Sequence, residues 1–328
     1  MKNTHRSAII GLTAVVLLGY AISPVFARGA AEAQENTVVA EHSILGDMVA
    51  RVAGDTINLS VLVGPGQDPH AYEPAPADSI QLRNAVLVFE NGLELTGWFD
   101  GLYSRSGSTA RRVAVAEGLH GLPASDEHDD EHDEDEHHED EHDEDEHDHG
   151  EYDPHVWQSV HYAIEMVEII RDTLAEEFPQ HADTYRENAA AYIEELESLD
   201  AYIREQVRKI PQHNRLLVTT HRAYDYFAVE YGFDTVGTAL GSITTEVQDP
   251  SAGQIAVLVD TIRRLEIPAV FAEAIVNRSV VDTIANEAEV RVLYPLYSDS
   301  LGDTDSGAGT YLEMMRHNID LIVDGLAN

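Results

Sequence analysis

Between Asp126 and His149 the chain consists only of aspartate, glutamate and histidine. Seven imidazoles (His128, His132, His137, His138, His142, His147 and His149) stand among seventeen carboxylates, and the heptapeptide EHDEDEH at Glu131–His137 returns at Glu141–His147. Both side-chain types are ligands for divalent metals. A run with no apolar residue cannot offset the entropy of folding, so the composition predicts a solvated loop. Without histidine it would read as an acidic linker; histidine at nearly one residue in three predicts weak, multi-site contact with metal ions.

Ten histidines lie outside the run, and three of them, with one aspartate, stand where a site is expected. His70 follows a strand and the Gly/Pro loop Gly64-Pro-Gly-Gln-Asp-Pro; His221 directly follows the strand Leu216–Thr220. His155 sits at a helix start, after Asp153 as cap and Pro154 in the first turn. Asp299 lies just beyond a strand ending near Leu296. Open α/β sheets bind ligands at the carboxyl ends of their strands. Three imidazoles and one carboxylate converging in a cleft make a four-coordinate nitrogen/oxygen site of the kind zinc accepts. Glu273, at the end of the strand Ala269–Ala272, is a further residue that could line the cleft, although a structural pairing is the commoner fate of a buried carboxylate. His42, His120, His161, His181, His213 and His317 have no partner motif and read as structural or exposed.

The elements that must position these residues alternate between strand and helix. Thr37–Ala40 is a strand candidate, Ser43–Val52 has helical spacing closed by Gly54, and Ile57–Val63 alternates as a strand. Ala85–Phe89 is the near-continuous apolar run of a strand buried on both faces. Leu93–Leu102 reads as a short helix, Arg112–Ala116 as a strand, and Pro154 to about Phe178 as a helix. Apolar residues from Tyr185 to Ile210 then recur at steps of three and four. They predict one helix over 182–210, ended by Pro211 and about 43 Å long. Strands at Leu216–Thr220, Val236–Leu240, Ala269–Ala272 and Val290–Leu296 follow. They alternate with helices at Tyr224–Tyr231, Ser251–Leu265, Val280–Glu289 and Thr310–Gly325. The expectation is an α/β protein of two Rossmann-like lobes, 28–181 and 211–328, joined by the long helix 182–210, with the metal site in the inter-lobe cleft.

Residues 1–27 have the basic start, apolar core and Val25-Phe26-Ala27 cleavage site of a signal peptide. There is no cysteine, which excludes disulfides, thiolate metal sites and a cysteine nucleophile. It also leads to the expectation of a free periplasmic protein that is not a lipoprotein and does not insert into the membrane. The net charge is −40, of which the Asp/Glu/His run supplies −17 and the rest −23. That acidity argues against nucleic acid and anionic membrane as partners.

Five stretches in this order, across nearly the whole mature chain, resemble the zinc/manganese-type substrate-binding proteins of bacterial ABC importers. They are Asp68-Pro-His-Ala-Tyr-Glu-Pro74, Asp153-Pro-His-Val-Trp157, Thr220-His-Arg-Ala-Tyr-Asp-Tyr-Phe-Ala228, Leu296-Tyr-Ser-Asp-Ser-Leu301 and Gly309-Thr-Tyr-Leu-Glu-Met-Met-Arg-His-Asn318. The resemblance implies two α/β lobes bridged by a rigid helix, with metal ligands at His70, His155, His221 and Asp299. It also implies a His-rich acidic loop just before the second ligand, where this run ends.

The function expected is extracytoplasmic capture of a divalent metal and delivery to a membrane permease by a monomer. Three imidazoles and a histidine-rich loop favour Zn2+ over Mn2+, although the carboxylate also suits manganese. Four ligands would close the site, and no HExxH motif is present, so the sequence does not read as a zinc hydrolase or any enzyme. A passive periplasmic metal buffer stays open beside importer delivery.

Overall fold

The computed structural model describes residues 36–119, 152–242, 245 and 250–327. The signal segment and the Asp/Glu/His run lie outside the described residues. Strands β1 (Thr37–His42), β2 (Asn58–Val63), β3 (Leu87–Glu90) and β4 (Arg111–Ala114) form one parallel sheet in the order β2-β1-β3-β4. Its helices are α1 (Ser43–Ala53), α2 (Pro76–Asn84) and α3 (Phe99–Ser106). Both faces of the sheet are covered, as a parallel sheet requires. Val38 and Ala40 of β1 point into the main core, while Val39 between them packs with Leu82, Val88 and Phe99 on the other face.

Two expectations in this half are corrected. Leu93–Leu102 is not a helix: Leu93 and Glu94 take positive φ of 53° and 56°, which breaks a right-handed helix, and α3 begins only at Phe99. The helix expected from Pro154 begins at Val160, after a tight 3-10 turn at Val156–Gln158, with Ser159 as its cap. His155 therefore stands in a turn ahead of helix α4 (Val160–Glu177).

Helix α5 (Ala182–Val207) is the predicted long helix, three residues shorter at its end. Pro211 disfavours helical conformation in the residue before it, and the chain leaves the helix ahead of that point. Its first half touches α1, through Asn188 Nδ2 donating to the Val52 carbonyl at 3.0 Å and an Arg51–Glu195 ion pair. Its second half meets α6 (Asp225–Tyr231) and α9 (Tyr311–Leu326). There Tyr231 donates to Asp200 at 3.1 Å and Tyr202 to Asp320 at 2.6 Å.

The second half pairs β5 (Leu216–Thr219) with β6 (Asp234–Thr238), and β7 (Ala269–Glu273) with β8 (Arg291–Leu296), each pair parallel. Between β6 and β7 runs α7 (Ala252–Arg264), started by a Ser251/Gln254 capping box; α8 (Ser279–Ala288) links β7 to β8. β5 and β7 lie side by side, tied at their carboxyl ends by Glu273 N–H donating to Thr220 Oγ1 at 3.0 Å. One apolar core runs from Val38 through Leu199 on α5 to Leu326, so the two α/β lobes share buried surface along the long helix. Among the described residues, no helix is long and apolar enough to cross a membrane.

Candidate metal centre

His70, His155, His221 and Asp299 each offer one ligand atom, all within 4.8 Å of one another. His155, His221 and Asp299 are fully buried and His70 is 3 % exposed. His70 Nε2 is 3.3 Å from His155 Nε2 and 3.6 Å from Asp299 Oδ2; His155 Nε2 is 3.5 Å from Asp299 Oδ1, and His221 Nε2 is 3.0 Å from Asp299 Oδ2. Ligands at about 2.1 Å around a tetrahedral ion are about 3.4 Å apart. These four distances bracket that value, and all the candidate ligand atoms lie within 4.8 Å of one another, close enough to share one ion.

The three histidines are held by local chemistry. The β2–α2 loop turns at Gly66, whose φ of 73° favours glycine and whose N–H donates to the Leu301 carbonyl at 2.9 Å and to Ser300 Oγ at 2.8 Å. Asp68 Oδ1 then accepts the His70 N–H at 2.9 Å. Asp153 Oδ1 accepts the His155 N–H at 2.9 Å and faces its Nδ1 at 2.7 Å. Glu273 Oε1 accepts the N–H groups of Thr220 and His221, each at 2.9 Å, while its Oε2 faces His221 Nδ1 at 2.6 Å. A carboxylate on Nδ1 fixes the ring and leaves Nε2 to face a cation. Asp153 and Glu273 therefore aim two of the three imidazoles.

The electrostatics suit a cation. Burial pushes the Asp299 carboxyl up, but the charges of His221 and then His155 outweigh it and hold the group well below the usual carboxylate range. Burial pulls the His221 imidazole down; Glu273 and Asp299 outweigh that and hold it well above its ordinary value. Both Asp299 oxygens and both His221 ring nitrogens are buried without a hydrogen bond of acceptable geometry. Each such group costs on the order of 1–3 kcal/mol, and a divalent cation bound through Asp299 and His221 Nε2 would offset part of that cost. The donor set therefore fits a metal ion.

The structure brings together the four residues singled out in the sequence and leaves Glu273 out of the ligand cluster, behind His221. Sequence reasoning took Asp153 for a helix cap; it orients His155 instead. His42 was read as having no partner motif. It is buried against Trp157, with ring centroids 5.2 Å apart, and its imidazole is pushed down to about 3, first by burial. Asp299 opposes that shift while His70 and His155 add to it, and no spacing in the sequence signals that placement. His161 is exposed beside Glu165 at 3.0 Å, and His317 faces the Pro295 carbonyl at 2.9 Å. The seven loop histidines and His120 lie outside the described residues.

The fold and site are those of a two-lobed α/β protein with a buried His3Asp cluster able to hold one metal ion. The chain belongs to the family described as ZnuA, zinc-uptake complex component A, periplasmic, whose model matches residues 38–325. It is 34 % identical over 328 residues, all of both chains, to the manganese-binding lipoprotein MntA of Halalkalibacterium halodurans. It is 32 % identical over 301 residues to MntA of Bacillus subtilis, covering 89 % of this chain and 90 % of that one. The periplasmic zinc binding protein TroA from Treponema pallidum shares the fold with a TM-score of 0.76 at 30 % identity, over 89 % of this chain and 99 % of its own.

These relatives correct one expectation. Both MntA proteins are named lipoproteins, which contradicts the expectation of a periplasmic protein that is not a lipoprotein. That expectation rested on a cysteine count, and a residue count does not establish how a mature chain is held at the membrane. The extracytoplasmic placement is unaffected.

Proposed function

We propose that this chain captures Mn2+ outside the cytoplasm and delivers it to the permease of an ABC importer. His70, His155 and His221 each bind through Nε2, and Asp299 binds through its carboxylate. The observation that carries the reading is the closure of four buried ligand atoms to within 4.8 Å. Support for manganese comes from the MntA relatives, which are named manganese-binding and match along most or all of the chain.

The sequence alone put zinc first, on imidazole content. The usual stability order does place Zn2+ above Mn2+ at a shared nitrogen/oxygen site, but it describes affinity, and cells select cargo by availability as well. Zinc stays as the second reading because the family description and the TroA neighbour name it. The run Asp126–His149, by its composition, collects ions weakly.

The test pairs chelator-competition titrations with metal accumulation in cells that lack the chain. Both ions should bind at one tight site per chain, Zn2+ more tightly, and loss of the chain should lower cellular Mn2+. Loss of zinc accumulation alone would put the zinc reading in its place.

A further inference from the structure

Resting on the metal-capture reading, we propose that Ser298 is a positioning residue that locks three of the four ligands into one unit. Ser298 immediately precedes Asp299 and is 1 % exposed. Its carbonyl accepts two N–H groups, Trp157 Nε1 and Gln158 Nε2, both at 2.9 Å. Those donors belong to the tight turn that follows His155, on the other side of the cleft from Asp299. Its hydroxyl donates to Glu273 Oε2 at 2.7 Å, the oxygen that faces His221 Nδ1. One residue therefore joins His155 through its carbonyl, His221 through its hydroxyl and Asp299 through the chain.

The surroundings leave this hub little freedom. The neighbouring Tyr297 carbonyl accepts from Tyr224 at 2.8 Å and from Asn318 Nδ2 at 2.7 Å, while the Tyr297 N–H donates to Asn318 Oδ1 at 3.0 Å. Tyr311 donates to the Trp157 carbonyl at 2.7 Å and fixes the other side of the clamp. Glu273 is buried and accepts three hydrogen bonds, from two backbone N–H groups and the Ser298 hydroxyl, with His221 Nδ1 facing its Oε2 at 2.6 Å. Losing the hydroxyl removes the hydrogen bond on Oε2, and the carboxylate can then swing with the imidazole it aims. Partners of this kind change metal affinity by about 10–100-fold when removed.

The test is a double-mutant cycle on the full chain. Mn2+ and Zn2+ affinities are measured by chelator competition for the wild type, S298A, E273Q and the double variant. S298A should weaken both ions about tenfold, and in the E273Q background the same change should cost less than about threefold, because the hydroxyl acts through Glu273. The Co2+-loaded S298A protein should also show a shifted ligand-field spectrum, which a merely structural loss of stability would not produce. Additive losses, or an S298A affinity equal to that of the wild type, overturn the hub. If S298A does not fold, Gln158→Met carries the test: it removes one donor from the Ser298 carbonyl and should weaken binding about threefold, and unchanged affinity counts against the proposal. A wild-type chain that binds neither ion refutes the metal-capture reading instead.

Discussion

His221 is wedged between two carboxylates, with Nδ1 2.6 Å from Glu273 and Nε2 3.0 Å from Asp299. Their charges outweigh burial and keep the imidazole protonated well above its ordinary range. A cation needs the Nε2 lone pair, so binding must expel that proton. Below the raised His221 value, each unit of acidification costs the ion one decade in affinity, about 1.4 kcal/mol, and binding strengthens as pH rises. Above that value the contribution of this group is flat. At about pH 7 the structure predicts release of about one proton from His221 per ion bound. Calorimetric titration with Mn2+ in two buffers of different ionisation enthalpy reads that number directly. Enthalpies that do not depend on buffer, with an affinity flat between about pH 6.5 and about pH 7.5, would refute the electrostatic picture of the site.

Other outcomes follow from the same geometry. Replacing His221 by Ala removes one of four ligands and should lower affinity at least about 100-fold while the circular dichroism of the apo protein is unchanged; an unaltered affinity removes His221 from the coordination shell. Deleting residues 126–149 should leave one tight site and lower the total number of ions bound, so loss of the tight site in titration would overturn the division of labour. Burial raises the Glu41 carboxyl to about 7 against the hydrogen bonds from Thr96 and Asn91. Its folded-state value lies above its unfolded one, so the fold is favoured below about pH 4.5 and loses stability as pH rises toward about 7. Glu41→Gln should therefore stabilise the apo protein at about pH 8, by at most about 3 kcal/mol, and have little effect near pH 4. Equal melting shifts at both pH values would contradict this.

The four candidate ligands were legible because each stands next to a signal that survives in one dimension: a strand end, a Gly/Pro loop or a proline after an acidic residue. The long helix was legible for the same reason, since its apolar steps of three and four persist from Tyr185 to Val207. Helix α2 was not, because Pro76–Asn84 buries only Asp78 and Leu82 and carries almost no apolar stripe. What supports the site was hidden for a different reason. Glu273 and Ser298 are twenty-five residues apart and meet only once β7 pairs with β8. Gln158 and Ser298, 140 apart, meet only across the cleft. Sequence spacing carries the ligands themselves, whereas their orientation depends on pairings that only the folded chain creates. The order of zinc and manganese was read from imidazole content, a property of affinity, and the relatives' names bear on cargo.

The most direct measurement is anomalous diffraction from crystals of the Mn2+-loaded protein. One peak should lie about 2.0–2.3 Å from Nε2 of His70, His155 and His221 and from the Asp299 carboxylate. A peak elsewhere, with these four side chains unliganded, would contradict the account.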